Sequence, residues 1–501
     1  MLYKQNWSNT MSTRDSLTAT PTATEPQLGG NMGVISLIFT VMAFSAPAVA
    51  FLGFIPVAIA LGNGVGTPVA FLTCGLVVAL VAVGLTTMAR RLPNPGGFYA
   101  FISAGLGKVV GLGAGFAAII IYYVACVSTY ALGGIAARSI VSDIFHGPAI
   151  PWWVFALALW VFVGVLGYFK IDLSAKVLTV FLGLELLLII AYDVSVLVKG
   201  GASGLSLDSF HPSNIFSGSV AIAFMFGVGL YGGFEATVIF RDEVRNPRRT
   251  IPRATFAVVA LLAVGYATTA WLFINAYGPV AVLDAVNADP TSAATNSIKA
   301  YTGQFAYTAA TLLLLSSAFA STLAAHSIAT RYAFNLSADR ILHHSLSRVH
   351  STHLSPHRAS LAMSGATLAG LVLVVLARIP DSIVYGRLSG IYTYTMLVLL
   401  AMVALAVVVY LVRRRGSEGA IAKPVAASGL AFVILCVAIY LATVKFDLIT
   451  GATGVISIVL LLLIYGIIAT GMVMASVYRR TRPEVYARIG RDDSELTSTE
   501  P

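Results

Sequence analysis

Twelve separate apolar runs of about 20 residues constrain this chain more than any other feature, because a run of that length crosses the hydrocarbon core of a bilayer as a helix. They fall near residues 34–60, 68–89, 110–137, 152–168, 176–198, 217–240, 254–277, 304–330, 360–377, 388–412, 427–444 and 452–478. With 58% apolar and only 10% charged residues, and a mean hydropathy of +0.86, the remaining surface is too small to keep such a chain in water. The expected fold class is an all-α polytopic membrane protein with 12 transmembrane helices, since only helices satisfy their own backbone in lipid across runs of this composition.

Charge sets the expected orientation. If the N-terminus is cytoplasmic, only Arg138, Lys199, Lys299, Arg378, Arg387 and Lys445 of the 31 lysines and arginines fall outside. The positive-inside rule then places both termini in the cytoplasm. The net charge of +10 is thereby a topology signal, and no nucleic-acid partner is expected. Residues 1–32 are polar, rich in Ser and Thr and without the pattern of a signal peptide, so a disordered cytoplasmic tail is expected there. Met11 is a second candidate start. Residues 33–200 hold the first five spans, 201–415 the next five and 416–479 the last two, with 480–501 as a cytoplasmic tail. Cys74, Cys126 and Cys436 lie in separate spans and suggest neither a disulfide framework nor a metal site. His343, His344, His350, His353 and His357 crowd one loop without ligand spacing, so a solvated loop is expected, with no metal and no cofactor.

Two of the spans are interrupted. The sixth carries Phe226-Gly-Val-Gly-Leu-Tyr-Gly-Gly-Phe-Glu235, and the first carries Phe44-Ser-Ala-Pro-Ala48 near its middle. A membrane helix that gives up backbone hydrogen bonds at depth is costly unless the freed groups bind something. The two breaks stand first in two five-span units of opposite orientation, the arrangement in which inverted-repeat transporters build their binding site. A proline kink or close glycine packing is the alternative for either break alone. Half-helix N-termini offer amides to a carboxylate and half-helix C-termini offer carbonyls to an ammonium, so the pair suits an α-amino acid. Ser45, Ala46, Pro47 and Ala48 form one expected wall, and Phe226, Gly227, Val228, Gly229, Leu230, Tyr231, Gly232 and Gly233 the other.

Three motifs carry a family resemblance: Gly233-Phe-Glu235 followed by Glu243-Val-Arg-Asn-Pro-Arg-Arg-Thr-Ile-Pro-Arg253, Arg91-Leu-Pro-Asn-Pro-Gly-Gly-Phe-Tyr-Ala100, and Arg331-Tyr-Ala-Phe-Asn-Leu-Ser-Ala-Asp-Arg340 with Pro356. Over residues 33 to 478 the chain resembles the bacterial amino acid permeases of the amino acid–polyamine–organocation superfamily. The resemblance implies a five-plus-five inverted repeat of leucine-transporter type with broken helices 1 and 6 and two added C-terminal helices. It also implies a permease of the bacterial cytoplasmic membrane, a monomer or homodimer, that alternates its access without ATP. No phosphate-binding Gly-x-x-x-x-Gly-Lys-Ser/Thr loop occurs, in keeping with gradient-driven transport.

The coupling ion depends on charges inside the membrane. Glu185 lies about 14 Å from the cytoplasmic end of its span, near the midplane, and Glu235 about 9 Å from the end of the sixth. Both are candidate proton carriers, because a carboxylate at such depth is costly to keep charged. A structural acceptor is the alternative for Glu235, and a permanently neutral hydrogen-bonded acid for Glu185. In relatives the Glu185 position resembles the place of a lysine that stands in for sodium; a carboxyl here departs from that pattern and takes up a proton or, with Ser316, Ser317 or Ser321, sodium. Proton is the leading expectation.

Tyr122, Tyr123, Ser128, Thr129 and Tyr130 of the third span and Tyr392, Thr393 and Tyr394 of the tenth are pocket candidates, with helix packing as the commoner role of such residues. Tyr231 is the candidate aromatic gate, and His326 is expected to pack. With no lysine or arginine deep in a span, a neutral amino acid leads. A polyamine or small amine, a sodium symporter and a non-transporting amino acid sensor are the alternatives. A channel would need a pore-lining ring of like side chains, and a membrane enzyme a nucleophile with its base or a ligand cluster, neither of which the spans supply. Arg241, Asp242 and Glu243 either close an inner gate or are solvated topology determinants. If the gate reading holds, Glu243→Ala lowers the maximal transport rate more than it changes the half-saturating concentration in uptake assays; an unchanged maximal rate contradicts it.

Overall fold

The computed structural model describes residues 32–490 apart from 93–96, 170–174, 235–236, 238–243, 351–354, 415–420 and 452–453. Apolar runs become helices at almost every expected place. Helices α1 (Val34–Phe44) and α2 (Pro47–Leu61) are the two halves of the first span. They are followed by α3 (Thr67–Ala89), the short α4 (Phe98–Leu106), α5 (Lys108–Ser139), α6 (Trp152–Phe169) and α7 (Ala175–Lys199). The second half holds α8 (Val220–Leu230), α9 (Pro247–Tyr277), the paired short helices α10 (Ala281–Ala288) and α11 (Pro290–Thr302), α12 (Gln304–Ala338), α13 (His357–Leu376) and α14 (Asp381–Arg413). Helices α15 (Ala422–Val444) and α16 (Val455–Thr481) close the bundle, and α17 (Pro483–Arg488) follows.

Among the described residues ten helices are long and apolar enough to cross a membrane alone, and the bent pair α1 and α2 makes an eleventh span. The sixth expected span appears only as α8, an apolar helix of 11 residues. Helices α3, α5, α9 and α14 are among the most deeply buried and form the centre. Helices α15 and α16 leave Leu430, Val433, Val437, Leu462 and Val473 exposed. Water would not tolerate that outward apolar surface as a monomer's face, and hydrocarbon does.

Small residues set how closely the helices approach, because packing rather than hydrophobic exclusion holds helices together in lipid. Gly105 brings α4 onto the backbone of α14, so that a Cβ there would lie 2.2 Å from the Ala406 carbonyl oxygen. Between the membrane helices, the α10–α11 hairpin is built by local signals: Asp289 caps α11 by accepting the amides of Thr291 and Ser292, and Pro290 takes the first helical position. Replacing Gly105 with alanine forces α4 away from α14 and should cost about 1–3 kcal/mol. The expected result is a lower thermal midpoint in detergent, while Gly429→Ala on α15, where nothing lies within 4 Å of the added methyl, leaves the midpoint unchanged or raised.

Candidate functional site

The first span breaks where the sequence places proline. The amide of Ser45 bonds to the Met42 carbonyl at 3.1 Å and ends α1, and Ala46 takes a left-handed conformation with φ of 44°. Pro47 then opens α2 at a position where its missing N–H costs nothing. A five-residue π turn, Ala50–Phe54, follows inside α2, a local widening common near functional sites.

The freed end of α2 is occupied. The amide of Ala48 donates to Oε2 of Glu185 on α7 at 3.0 Å, and the Glu185 side chain is only 4% exposed. A carboxylate there meets both an amide without an intrahelical partner and the positive end of the helix dipole. Ser317 on α12 lies against the same carboxyl, with its buried hydroxyl turned to it. Tyr266 on α9 stands within electrostatic reach of Glu185, and its hydroxyl is buried and unpartnered. Three helices thus surround one acid, and the Tyr266 hydroxyl among them has capacity to spare.

The second break falls later than expected. Helix α8 runs unbroken through Phe226, Gly227, Val228 and Gly229, and unwinding begins at Tyr231. The amides of Tyr231 and Gly232 turn back onto the carbonyls of Val228 and Gly229, and Gly233 has φ of 98°. The physical reason is packing: a Cβ on Gly227 would lie 2.5 Å from Cys74 Sγ, and one on Gly229 2.1 Å from Thr393 Cγ2. Those two glycines admit α3 and α14 rather than loosen the helix. Tyr231 is 1% exposed and donates its hydroxyl to the Phe71 carbonyl on α3 at 2.9 Å, which favours a packing role over a gate. Gly232 faces Tyr392, whose hydroxyl a Cβ would approach to 2.5 Å.

Between the two breaks sits an aromatic group that the sequence did not single out as a whole. Phe54 of α2 packs edge-on against Phe226, Tyr385 and Tyr392, with ring centroids 6.3, 5.7 and 6.3 Å away. Tyr385 lies over Gly53 inside the π turn, and its hydroxyl is buried without a partner. Of the other pocket candidates, Tyr394 bonds to Thr443 and Tyr465 toward α15 and α16, and Thr129 accepts from Thr322 on α12. Tyr122 stacks on Tyr332, and Tyr123 packs over Gly370. His326 bonds to Ser360 at 3.0 Å, a contact between α12 and α13.

The two ends of the bundle are tied by different means. At the basic end Met32 pairs with Val244, and the amide of Arg245 donates to the Met32 carbonyl at 3.2 Å. The entry to α1 is thereby joined to the loop that follows the second break. At the opposite end Arg138 of α5 pairs with Asp381 at the start of α14. Glu235, Arg241, Asp242 and Glu243, expected at the coupling site and gate, lie outside the described residues. A third acid, not singled out from the sequence, also lies within a span. Asp193 on α7 lies in the same apolar run as Glu185, accepts the Thr269 hydroxyl at 2.8 Å through Oδ2, and keeps Oδ1 buried without a partner. Its signal was a carboxyl eight residues beyond Glu185 inside an apolar run.

Comparison with known proteins agrees with this geometry. The amino acid permease family model matches residues 36–486. A probable GABA permease of Pseudomonas aeruginosa is 29% identical over 216 residues, 41% of this chain and 44% of that protein. The low-affinity putrescine importer PlaP of Escherichia coli is 23% identical over 271 residues, 52% of this chain and 57% of the importer. The matched region spans about half the length of these relatives. A manganese transporter of Eremococcus coleocola, solved with an aromatic bis-isothiourea compound, superposes with a TM-score of 0.60 at 13% identity, covering 90% of this chain and 98% of that one. That likeness shows a shared leucine-transporter-type fold and nothing of substrate. On the span of the family match, the chain belongs to the amino acid permease family.

Proposed function

We propose that this multi-pass permease carries a neutral amino acid together with a proton across the bacterial cytoplasmic membrane by alternating access, with both termini in the cytoplasm. The observation that carries the proposal is the bond from the Ala48 amide to Glu185. In its charged state the Glu185 carboxylate holds the N-terminal end of α2, and the charge assists that bond. Protonation removes the charge-assisted part, so the helix end is released to move and its amide becomes available to another carboxylate. A substrate carboxylate is the natural replacement, and its ammonium then faces the carbonyl end of α8, the negative end of that helix's dipole. Proton and substrate are coupled because each changes what the same amide holds.

The side walls support a substrate of modest size. Phe54, Phe226, Tyr385 and Tyr392 offer apolar and aromatic surface beside the breaks, and among the described residues no lysine or arginine accompanies them to neutralise an acidic side chain. A second reading, a small organic amine, draws support from relatives named for GABA and putrescine, both primary amines, and from acids within α7. Sodium in place of the proton would use Glu185 with the Ser317 hydroxyl that lies against it.

Uptake of a labelled panel of amino acids and amines into proteoliposomes, driven first by a proton gradient and then by a sodium gradient, separates these readings. Wild-type protein is expected to accumulate a neutral amino acid under the proton gradient alone. Glu185→Gln retains an acceptor for the Ala48 amide but cannot cycle a proton. It should lose gradient-driven accumulation by about tenfold or more, the factor that ~1.4 kcal/mol represents, while counterflow without a gradient persists. Intact proton-driven accumulation by Glu185→Gln would overturn the coupling proposal.

A further inference from the structure

We infer that Asp193 is the outer proton-loading group of this permease, feeding Glu185 through a seam between α7 and α9 lined by Thr269 and Tyr266. The inference rests on the proton-coupled reading of Glu185 and adds the route by which the proton arrives. Asp193 lies eight residues beyond Glu185 on α7, about 12 Å along the axis, toward the Lys199 end of the helix. The positive-inside orientation makes that end the outer one.

Three observations place the two acids on one line. Thr269 of α9 donates to Asp193 Oδ2 at 2.8 Å. Tyr266, one turn before Thr269 on the same helix and only 5% exposed, stands within electrostatic reach of Glu185 but not bonded to it. Residues three apart on a helix share a face, so α9 presents one hydroxyl to each acid. Finally, Asp193 Oδ1 and the Tyr266 hydroxyl are both buried with no partner. Buried polar atoms are nearly always paired, and two orphans along one seam are costly unless protons or water use them.

The surroundings leave the seam to these groups. From α9 come Tyr266 and Thr269; from α11, Ser297 bonds to Tyr192 at 2.6 Å, and the Tyr301 carbonyl accepts both Ser195 and Lys199. From α12 comes Ser317, and α1 and α2 bring no ionisable side chain, since residues 34–61 contain none. Lys199 is the one nearby cation along α7; its ammonium is turned onto α11, where it holds the helix hairpin against the outer end of the seam.

The transfer balances without a further reactant. A proton from outer water binds the Asp193 carboxylate. Across the one-turn gap of about 4.5 Å between Thr269 and Tyr266, a water bridges the hydroxyls. Neutral Asp193 gives its proton to the Thr269 oxygen as Thr269 passes its own to the bridging water, and the water gives one to the Tyr266 oxygen as the Tyr266 proton moves on to Glu185, so threonine, water and phenol all end unchanged. Asp193 returns to its charged form and Glu185 is neutral, ready to release the Ala48 amide.

The test uses the full-length protein in proteoliposomes, with initial uptake measured against external pH. Asp193→Asn should slow proton-driven uptake by roughly tenfold or more and flatten its dependence on external pH, while counterflow at equal pH on both sides is kept. Tyr266→Phe should slow the same step, and Asp193→Glu, which restores a carboxyl, should recover the pH profile. A wild-type external pH profile in an Asp193→Asn protein that still performs counterflow overturns the seam, as does a flat profile in Asp193→Glu. Glu185→Gln measured in parallel separates the two proposals. If it abolishes coupling and Asp193→Asn does not, the seam alone fails; if neither changes proton-driven uptake, the proton reading fails and the seam with it.

Discussion

A single amide decides how the first span is held. Proline and a left-handed alanine break the helix at Ser45 to Pro47, and the amide of Ala48 is left facing the membrane interior without a partner in its own helix. In lipid such a group must be satisfied by something else. The partner is the Glu185 carboxyl, carried by α7. The break, the depth of the acid and the helices that pack around both are consequences of meeting that one requirement in a medium without water. Because the partner is an acid, the proposed coupling has its basis here: a bond held by a carboxylate is one that a proton can weaken.

The rest of the bundle supports motion around this point. Helices α15 and α16 present apolar faces outward, while close glycine contacts such as Gly105 on Ala406 fix neighbouring helices at short range. The first span is joined to the loop after the second break through Met32 and Val244, and the opposite end is drawn together by Arg138 and Asp381. These ties differ in strength. The backbone pairing is buried at Val244, and the ion pair is partly exposed, a class of contact usually worth less than about 1 kcal/mol. Under the proposed alternating access each end opens in turn, and a weak exposed pair suits an end that opens readily.

Much of this was legible in the sequence, and the exceptions have physical causes. Apolar length alone located the spans, since hydrocarbon thickness sets a minimum that the chain cannot evade. Pro47 marked the first break because a missing N–H acts locally. The second break was placed too early, because Gly227 and Gly229 look alike in sequence whether they loosen a helix or admit Cys74 and Thr393 against it. Tyr231 sits at the break, but only the fold shows that its hydroxyl turns to Phe71. Asp193 carried the same signal as Glu185, a carboxyl inside an apolar run; its significance emerged once α9 was seen to bring Thr269 and Tyr266 alongside. Pairing between helices distant in sequence leaves no periodic trace in any one of them.

Infrared difference spectroscopy on the reconstituted protein, recorded on adding substrate in light and heavy water, observes the central event directly. The coupling scheme predicts that substrate binding increases the signal of a buried protonated carboxyl, that this signal shifts in heavy water, and that it is missing from Glu185→Gln. An identical carboxyl signal in wild type and Glu185→Gln, with substrate bound in both, would contradict it.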